Sequence, residues 1–123
     1  MDYLEAYNFW KTDEFFDITT RNELVTLDPE KDEKEIEDRF YRDLEFGTGG
    51  LRGVIGAGTN RINIYTVRKA TQGLANYLNK KTSHASVAIA YDSRIKSDVF
   101  AKAAAEVLAA NGITAHLYPQ LMP

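Results

Sequence analysis

The sequence contains no cysteine, so it offers neither a disulfide framework nor a thiolate metal site. Long apolar runs are also absent, because no stretch approaches the roughly 18–20 residues of a membrane-spanning helix. A surplus of positive charge is missing as well, with 15 Lys and Arg against 18 Asp and Glu. A dedicated nucleic-acid-binding domain usually carries such a surplus. We therefore expect neither a nucleic-acid partner nor a membrane partner.

The composition is that of a folded globular domain. The chain has 123 residues, of which 44% are hydrophobic and 27% charged, enough apolar material for a core. Residues 1–10 carry no basic stretch of the kind that opens a signal peptide. We expect a cytoplasmic protein.

The first 45 residues differ from the rest, because they hold most of the acids and many of the aromatic side chains. Two sets of apolar residues recur there at about helical spacing: Leu4, Tyr7 and Trp10, then Ile36, Phe40 and Leu44. The Asp28-Pro29 pair is typical of a helix start. The pattern predicts a lead-in of two helices over residues 1–45, packed on the outside of the following domain.

Residues 46–123 read as strand, helix, strand, helix, strand. The predicted elements are a strand over 51–55, a helix over 66–80 capped by Thr66, a strand over 87–91, a helix from Ser97 to the left-handed cap Asn111-Gly112, and a strand over 113–118. This order predicts an α/β fold of three layers with a mostly parallel sheet.

The segment 46–60 contains six glycines, which excludes a regular helix. It does not fit the known nucleotide cradles. The dinucleotide fingerprint requires a third glycine, but that position is Arg52 or Arg61, depending on the starting glycine. The P-loop pattern requires a lysine, but Thr59 occupies that position.

What remains is a loop of free backbone N–H groups around Arg52. Arginine is the side chain best shaped for a phosphate or a carboxylate, and glycine neighbours let the backbone approach the same anion. The alternative is a turn whose arginine is solvated or pairs with a nearby acid. The residues alone leave both possibilities open.

Two strings, Phe46-Gly47-Thr48-Gly49-Gly50-Leu51-Arg52-Gly53 and Gly56-Ala57-Gly58-Thr59-Asn60-Arg61-Ile62-Asn63, resemble the opening of the α-D-phosphohexomutases. The stretches 66–74 and 91–94 continue the resemblance in the family's order and spacing. The acidic helical lead-in resembles the branch that includes the phosphoglucomutases and phosphopentomutases. The resemblance implies a truncated α/β domain I over residues 46–123.

Members of that family move a phosphate between two hydroxyls of a phosphosugar by way of a phosphorylated serine. The resemblance implies that Thr48, Gly49 and Arg52 lie beside that phosphate, whereas Asp92 and Arg94 hold a strand end to the loop. The family also uses Mg²⁺, bound by an Asp-x-Asp-x-Asp loop in a later domain, and a bisphosphosugar activator. The serine motif, Thr-x-Ser-His-Asn-Pro, does not occur in these 123 residues, and neither does the metal loop.

The catalytic serine is thus expected outside this chain, so we expect the chain alone to be inactive and, with an open sheet edge, to self-associate. No metal site is expected around His84 or His116. Two rival interpretations stay open, a non-enzymatic anion- or nucleotide-binding α/β module and a scaffold piece without a ligand.

Overall fold

The computed structural model describes residues 2–44, 46–47, 50–51, 53–91 and 97–119. Contacts divide the chain into two compact units, Met1–Thr66 and Val67–Pro123. In the described parts of the chain, no helix is long and apolar enough to cross a membrane.

Three helices form the lead-in, where the sequence pattern predicted two: α1 (Tyr3–Thr12), α2 (Ile18–Val25) and α3 (Glu33–Phe40). α1 matches the first predicted stripe. α2 was missed because only one of its residues, Leu24, is buried, so it shows little apolar periodicity.

The Asp28-Pro29 pair does not start a helix, so that prediction was wrong. The Asp28 carboxylate accepts a hydrogen bond from the N–H of Glu30 at 2.9 Å, which is the local bond of an Asx-type turn. The Asp32 carboxylate reaches back to the N–H of Asp28 at 2.8 Å. The chain is therefore still turning at this point, and α3 begins only at Glu33.

The core of the first unit is aromatic. Its buried members are Ala6, Tyr7, Trp10, Phe16, Leu24, Ile36, Phe40 and Ala57. The Trp10 indole stacks on Phe16 with ring centroids 4.3 Å apart, and it meets Phe40 edge-on at 5.9 Å. The Tyr7 hydroxyl donates to the carbonyls of Leu24 and Leu27, which ties α1 to the end of α2. The three short helices thus pack around one hydrophobic core cluster.

The predicted strand over 51–55 does not form as one element. Instead β1 (Phe46–Gly47) pairs antiparallel with β2 (Gly50–Leu51), and Ile55 makes a separate parallel bridge to Ile62. Glycine-rich sequence has little preference for extended strands. The described residues of 46–53 accordingly form a ladder of only two residue pairs.

The next helix, α4 (Ile64–Lys81), begins before the predicted position. Asn63, not Thr66, lies at the cap. The Asn63 side chain accepts from the N–H of Thr66 at 2.9 Å, and the Thr66 hydroxyl accepts from the N–H of Asn63 at 3.1 Å. This reciprocal pair has the geometry of a capping box, and it satisfies two backbone donors of the first turn.

The second unit contains the predicted parallel pair. β3 (Ser86–Tyr91) and β4 (Thr114–Pro119) pair in parallel, and α5 (Ser97–Ala110) connects them in the sequence. This confirms the predicted α/β class with a parallel sheet.

The Asn111-Gly112 pair forms the predicted left-handed cap at the end of α5, and the cap is a Schellman motif. Gly112 has φ 75°, and the N–H of Ile113 donates to the carbonyl of Leu108 at 2.9 Å. Leu108 and Ile113 are both buried and form the core of this unit together with Ala75. The cap therefore also places Ile113, the residue before β4, in the core.

Candidate functional site

The three residues predicted to contact phosphate, Thr48, Gly49 and Arg52, lie outside the described residues, as do Asp92 and Arg94. Their roles therefore stay predictions. What the structure describes is the framework around the glycine-rich segment 46–53.

Both ends of that segment are fixed to one loop. On the N-terminal side, the N–H of Leu44 donates to the carbonyl of Thr59 at 2.8 Å. On the C-terminal side, the N–H of Ile62 donates to the carbonyl of Val54 at 2.8 Å, and the N–H of Gly56 donates back to Ile62 at 3.1 Å. The backbone leading into and out of the segment is therefore positioned by residues 59–62.

This loop in turn caps the C-terminal end of α3. Helix ends leave carbonyls without intrahelical partners. Asn60 supplies two donors to them, its N–H to the carbonyl of Arg39 at 2.8 Å and its side-chain amide to that of Asp38 at 2.9 Å. The side-chain oxygen of Asn60 accepts from Arg42 at 3.2 Å. Because Asn60 is buried, these bonds are shielded from water and hold the loop firmly.

Gly58 allows the loop to approach α3 this closely. Its φ is 133°, a conformation that residues with side chains rarely adopt, and an added Cβ would lie 2.7 Å from the carbonyl oxygen of Arg39. The carbonyl of Gly58 accepts from the Asn63 side chain at 3.0 Å. A side chain at this position would have to move the loop away from the helix.

A second anchor joins the loop to α2 and α3. Arg39 Nη1 bonds Glu23 Oε2 at 2.5 Å and the carbonyl of Ala57 at 3.0 Å, and the N–H of Ala57 donates to the same Glu23 oxygen at 2.8 Å. Arg39 Nη2 bonds Glu35 at 3.1 Å. Burial opposes the charge of Arg39, but its hydrogen bonds to the two carboxylates raise its pKa above the ordinary value.

Arg61 is also engaged with a carboxylate. Its Nη2 bonds Asp38 Oδ2 at 2.7 Å, and the side chain is buried. Arg39 and Arg61 thus serve as structural cations of this framework, whereas Arg52 is the arginine predicted to face an anion.

A third link connects the α2 cap to the first turn of α4. The Asp17 carboxylate accepts from the N–H of Thr20 at 2.7 Å and from the Tyr65 hydroxyl at 2.8 Å. Partial burial works against the charged form, but these hydrogen bonds outweigh it and lower the pKa of Asp17. Partial burial raises the pKa of Tyr65, and although the hydrogen bond from the N–H of Asp17 opposes this, the bond to the Asp17 carboxylate raises the pKa further.

Sequence reasoning missed this framework. Glu23 and Ala57 are 34 residues apart, so no local motif marks their bond. Arg39 gives no local signal either, because a charged side chain beside the apolar stripe of a helix is ordinarily solvated.

The described residues do not supply a metal centre. In ranges 2–44, 53–91 and 97–119, no group of three or more His, Cys, Asp or Glu residues is placed to hold a metal ion. His84 and His116 are both exposed. The described residues therefore do not fit Mg²⁺.

Comparison with known proteins gives a family match over most of the chain. Residues 43–123 match the model of phosphoglucomutase/phosphomannomutase, alpha/beta/alpha domain I. A phosphoglucomutase of Staphylococcus saprophyticus is 48% identical over 83 residues, which are 68% of this chain and 15% of that protein. A phosphoglucomutase of Staphylococcus aureus strain USA300 is 44% identical over 87 residues, which are 69% of this chain and 16% of that protein.

The chain thus spans only about 15% of the length of the curated relatives that it matches. No solved structure gives a significant match. The matched part includes the whole glycine-rich segment and the parallel strands of the second unit.

Proposed function

Because this chain belongs to the phosphoglucomutase/phosphomannomutase family, we propose that the protein carrying it is an intramolecular phosphotransferase acting on phosphosugars. The observation that carries the proposal is the domain I match over residues 43–123, supported by relatives that are named phosphoglucomutase. The reaction moves a phosphate between the C1 and C6 hydroxyls of a hexose or between the equivalent positions of a pentose.

In this proposal the glycine-rich segment supplies the phosphate contacts. Arg52 donates paired N–H groups to the phosphate that the enzyme carries, and Thr48 and Gly49 shape the pocket around it. Phosphoryl transfer depends largely on positioning and on stabilising charge in the transition state. A fixed guanidinium can do both. The framework that holds both ends of the segment supports this role.

The other parts of the reaction are expected outside these 123 residues. The phosphorylated serine and the Mg²⁺ loop belong to motifs that the sequence does not contain. Mg²⁺ would supply charge neutralisation at the transferred phosphate, and no residue described here is proposed to bind it. We therefore propose that the 123-residue chain has no mutase activity of its own. We also propose that the active protein is cytoplasmic.

The test of the phosphate site is Arg52→Lys in the mutase polypeptide that carries this chain. Lysine keeps the charge but loses the forked geometry, so we expect a loss of about 2–3 kcal/mol, or roughly 30- to 150-fold in kcat/KM. The matched control is Arg68→Lys on the exposed surface of α4, which should leave the rate unchanged. An Arg52→Lys rate within about threefold of the parent would show that Arg52 is a turn residue.

The inactivity of the chain is tested separately. The purified 123 residues are assayed with glucose 1-phosphate, Mg²⁺ and a bisphosphosugar activator. No turnover above the uncatalysed background is expected. Turnover would mean that these residues contain a catalytic group that the proposal has not identified.

The proposed partner is a phosphosugar, with no nucleic acid and no membrane. Self-association of the chain also stays a proposal. It is supported by β4, which pairs only with β3 in the described ranges and exposes Leu117 and Tyr118. Light scattering across a dilution series is the check, and a compact monomer at every concentration would refute it.

A further inference from the structure

Residues before position 43, where the family match begins, contact the loop that follows the predicted phosphate-binding segment. The match begins at residue 43, yet two earlier side chains, Glu23 on α2 and Arg39 on α3, bond the backbone of Ala57 inside the matched region. The helical lead-in is thus bonded to the loop that follows the glycine-rich segment.

Glu23 is at the centre of this contact. One of its oxygens, Oε2, accepts from both Arg39 and the N–H of Ala57, at 2.5 and 2.8 Å. The carboxylate lies against the loop so closely that a Cβ added at Gly56 would be 3.0 Å from the same oxygen. Bonds to an ionised acceptor are stronger than neutral ones, so this oxygen fixes the position of the Ala57 backbone.

The position of Ala57 determines the exit of the glycine-rich segment. Ala57 directly follows Gly56, whose N–H bonds the carbonyl of Ile62, and the N–H of Ile62 bonds the carbonyl of Val54. Only Gly53 separates Val54 from Arg52 in the chain. A shift of the loop at Ala57 would therefore displace Val54, which lies two residues after Arg52 in the sequence.

We infer that Glu23, held by Arg39, is a positioning residue for the phosphate-binding segment. It acts through the backbone of residues 54–57, which it holds by its bond to the N–H of Ala57. This inference rests on the proposed function of Arg52. Its consequence is that the helical lead-in takes part in setting the reaction rate, in addition to packing.

The chain offers a matched pair of variants. Glu23 and Glu35 both pair with Arg39, and their side chains are 41% and 45% exposed, but only Glu23 also bonds Ala57. In the mutase polypeptide, Glu23→Ala should lower kcat about tenfold with little change in KM, because misplacement of a catalytic group costs rate more than binding. Glu35→Ala should leave kcat within about twofold.

Two further variants separate positioning from stability. Glu23→Gln retains an acceptor for the N–H of Ala57, so it should restore most of the lost kcat. Leu24→Ala removes a buried side chain on α2 but leaves both bonds to the Ala57 backbone in place, so it should lower stability while leaving kcat of the folded enzyme unchanged. A purely structural role for Glu23 would make Glu23→Ala behave like Leu24→Ala.

The outcomes separate the two proposals. If Arg52→Lys is impaired while Glu23→Ala and Glu35→Ala are equally active, the positioning role is wrong and the phosphate site stands. If Arg52→Lys is fully active, the phosphate site is wrong, and the positioning role that rests on it is wrong as well. A selective loss in Glu23→Ala, with rescue by Glu23→Gln and impairment of Arg52→Lys, supports both.

Discussion

The two units of the chain differ in how they are held together. The first has a cluster of eight buried residues, most of them large, and a polar framework around Arg39 and Asn60. The second has a core cluster of three buried residues in its described part, Ala75, Leu108 and Ile113. Because hydrophobic stabilisation follows the apolar area buried, we expect most of the stability to come from the first unit.

The family resemblance is distributed in the opposite way. The match to the family's domain I model begins at residue 43 and so omits the three helices that supply most of the first unit's core. It includes the glycine-rich segment and the parallel strands. The comparison teaches that the region carrying the predicted chemistry is supported by a region that the family match does not cover.

The largest expected effect on stability is that of Leu24→Ala. Leu24 is fully buried in the first cluster, so its truncation should cost about 2–5 kcal/mol of unfolding free energy. The measurement is urea unfolding followed by the fluorescence of Trp10, the single tryptophan, which lies in the same cluster.

Leu108→Ala is the counterpart in the second unit. Leu108 is also buried, but its smaller cluster can close around the gap more easily, so the loss should lie near 2 kcal/mol by the same principle. The comparison between the units would be broken if Leu108→Ala destabilised the protein more than Leu24→Ala, with circular dichroism as the common measurement.

Three glycine-to-alanine variants sharpen the comparison. Gly58→Ala forces a Cβ against α3 at a positive φ and should cost roughly 3 kcal/mol, at the upper end for backbone strain. Gly112→Ala has a positive φ but open space, so about 1 kcal/mol is expected. Gly73→Ala, inside α4 with open space, should stabilise by about 0.5–1 kcal/mol. Thermal unfolding measures the change in unfolding free energy for all three variants. An equal loss for Gly58→Ala and Gly112→Ala would show that the close approach of Gly58 to α3 does not affect stability.

The smallest effect is the pH dependence due to Asp17. Because the pKa of Asp17 is lowered in the folded protein, its contribution to stability is present above the unfolded pKa and is lost as the pH falls through the folded pKa. Asp17→Asn preserves the helix cap but removes the charge. The difference should be below about 1 kcal/mol at neutral pH, since the side chain is exposed, and should vanish in acid. A difference that persists below the folded pKa would contradict this account.

The sequence predicted the elements with strong local signals. The Asn111-Gly112 cap and the apolar run 87–91 each carry their structure in neighbouring residues, and both were confirmed. The predictions failed where local chemistry was ambiguous. Asp28-Pro29 suits a turn as well as a helix start, and Thr66 and Asn63 can both cap a helix.

The framework around the candidate site could not be predicted in the same way. Glu23, Arg39 and Asn60 act through bonds between residues that are far apart in the sequence, and such bonds follow from tertiary packing alone. The glycine-rich segment itself was found from composition, because few folded structures need so many glycines in so short a stretch.

The most direct test of the central claim is a phosphate titration of the isotopically labelled chain, followed by NMR at the glycine amides. Gly47, Gly49, Gly50 and Gly53 belong to the proposed phosphate segment, whereas Gly73 and Gly112 lie in the second unit and serve as internal controls. We expect inorganic phosphate to shift the four segment amides in a saturable way and to leave the two controls unmoved, and we expect Arg52→Lys to weaken the response. Shifts of equal size at all six glycines, or none at the segment, would contradict the assignment of the phosphate site.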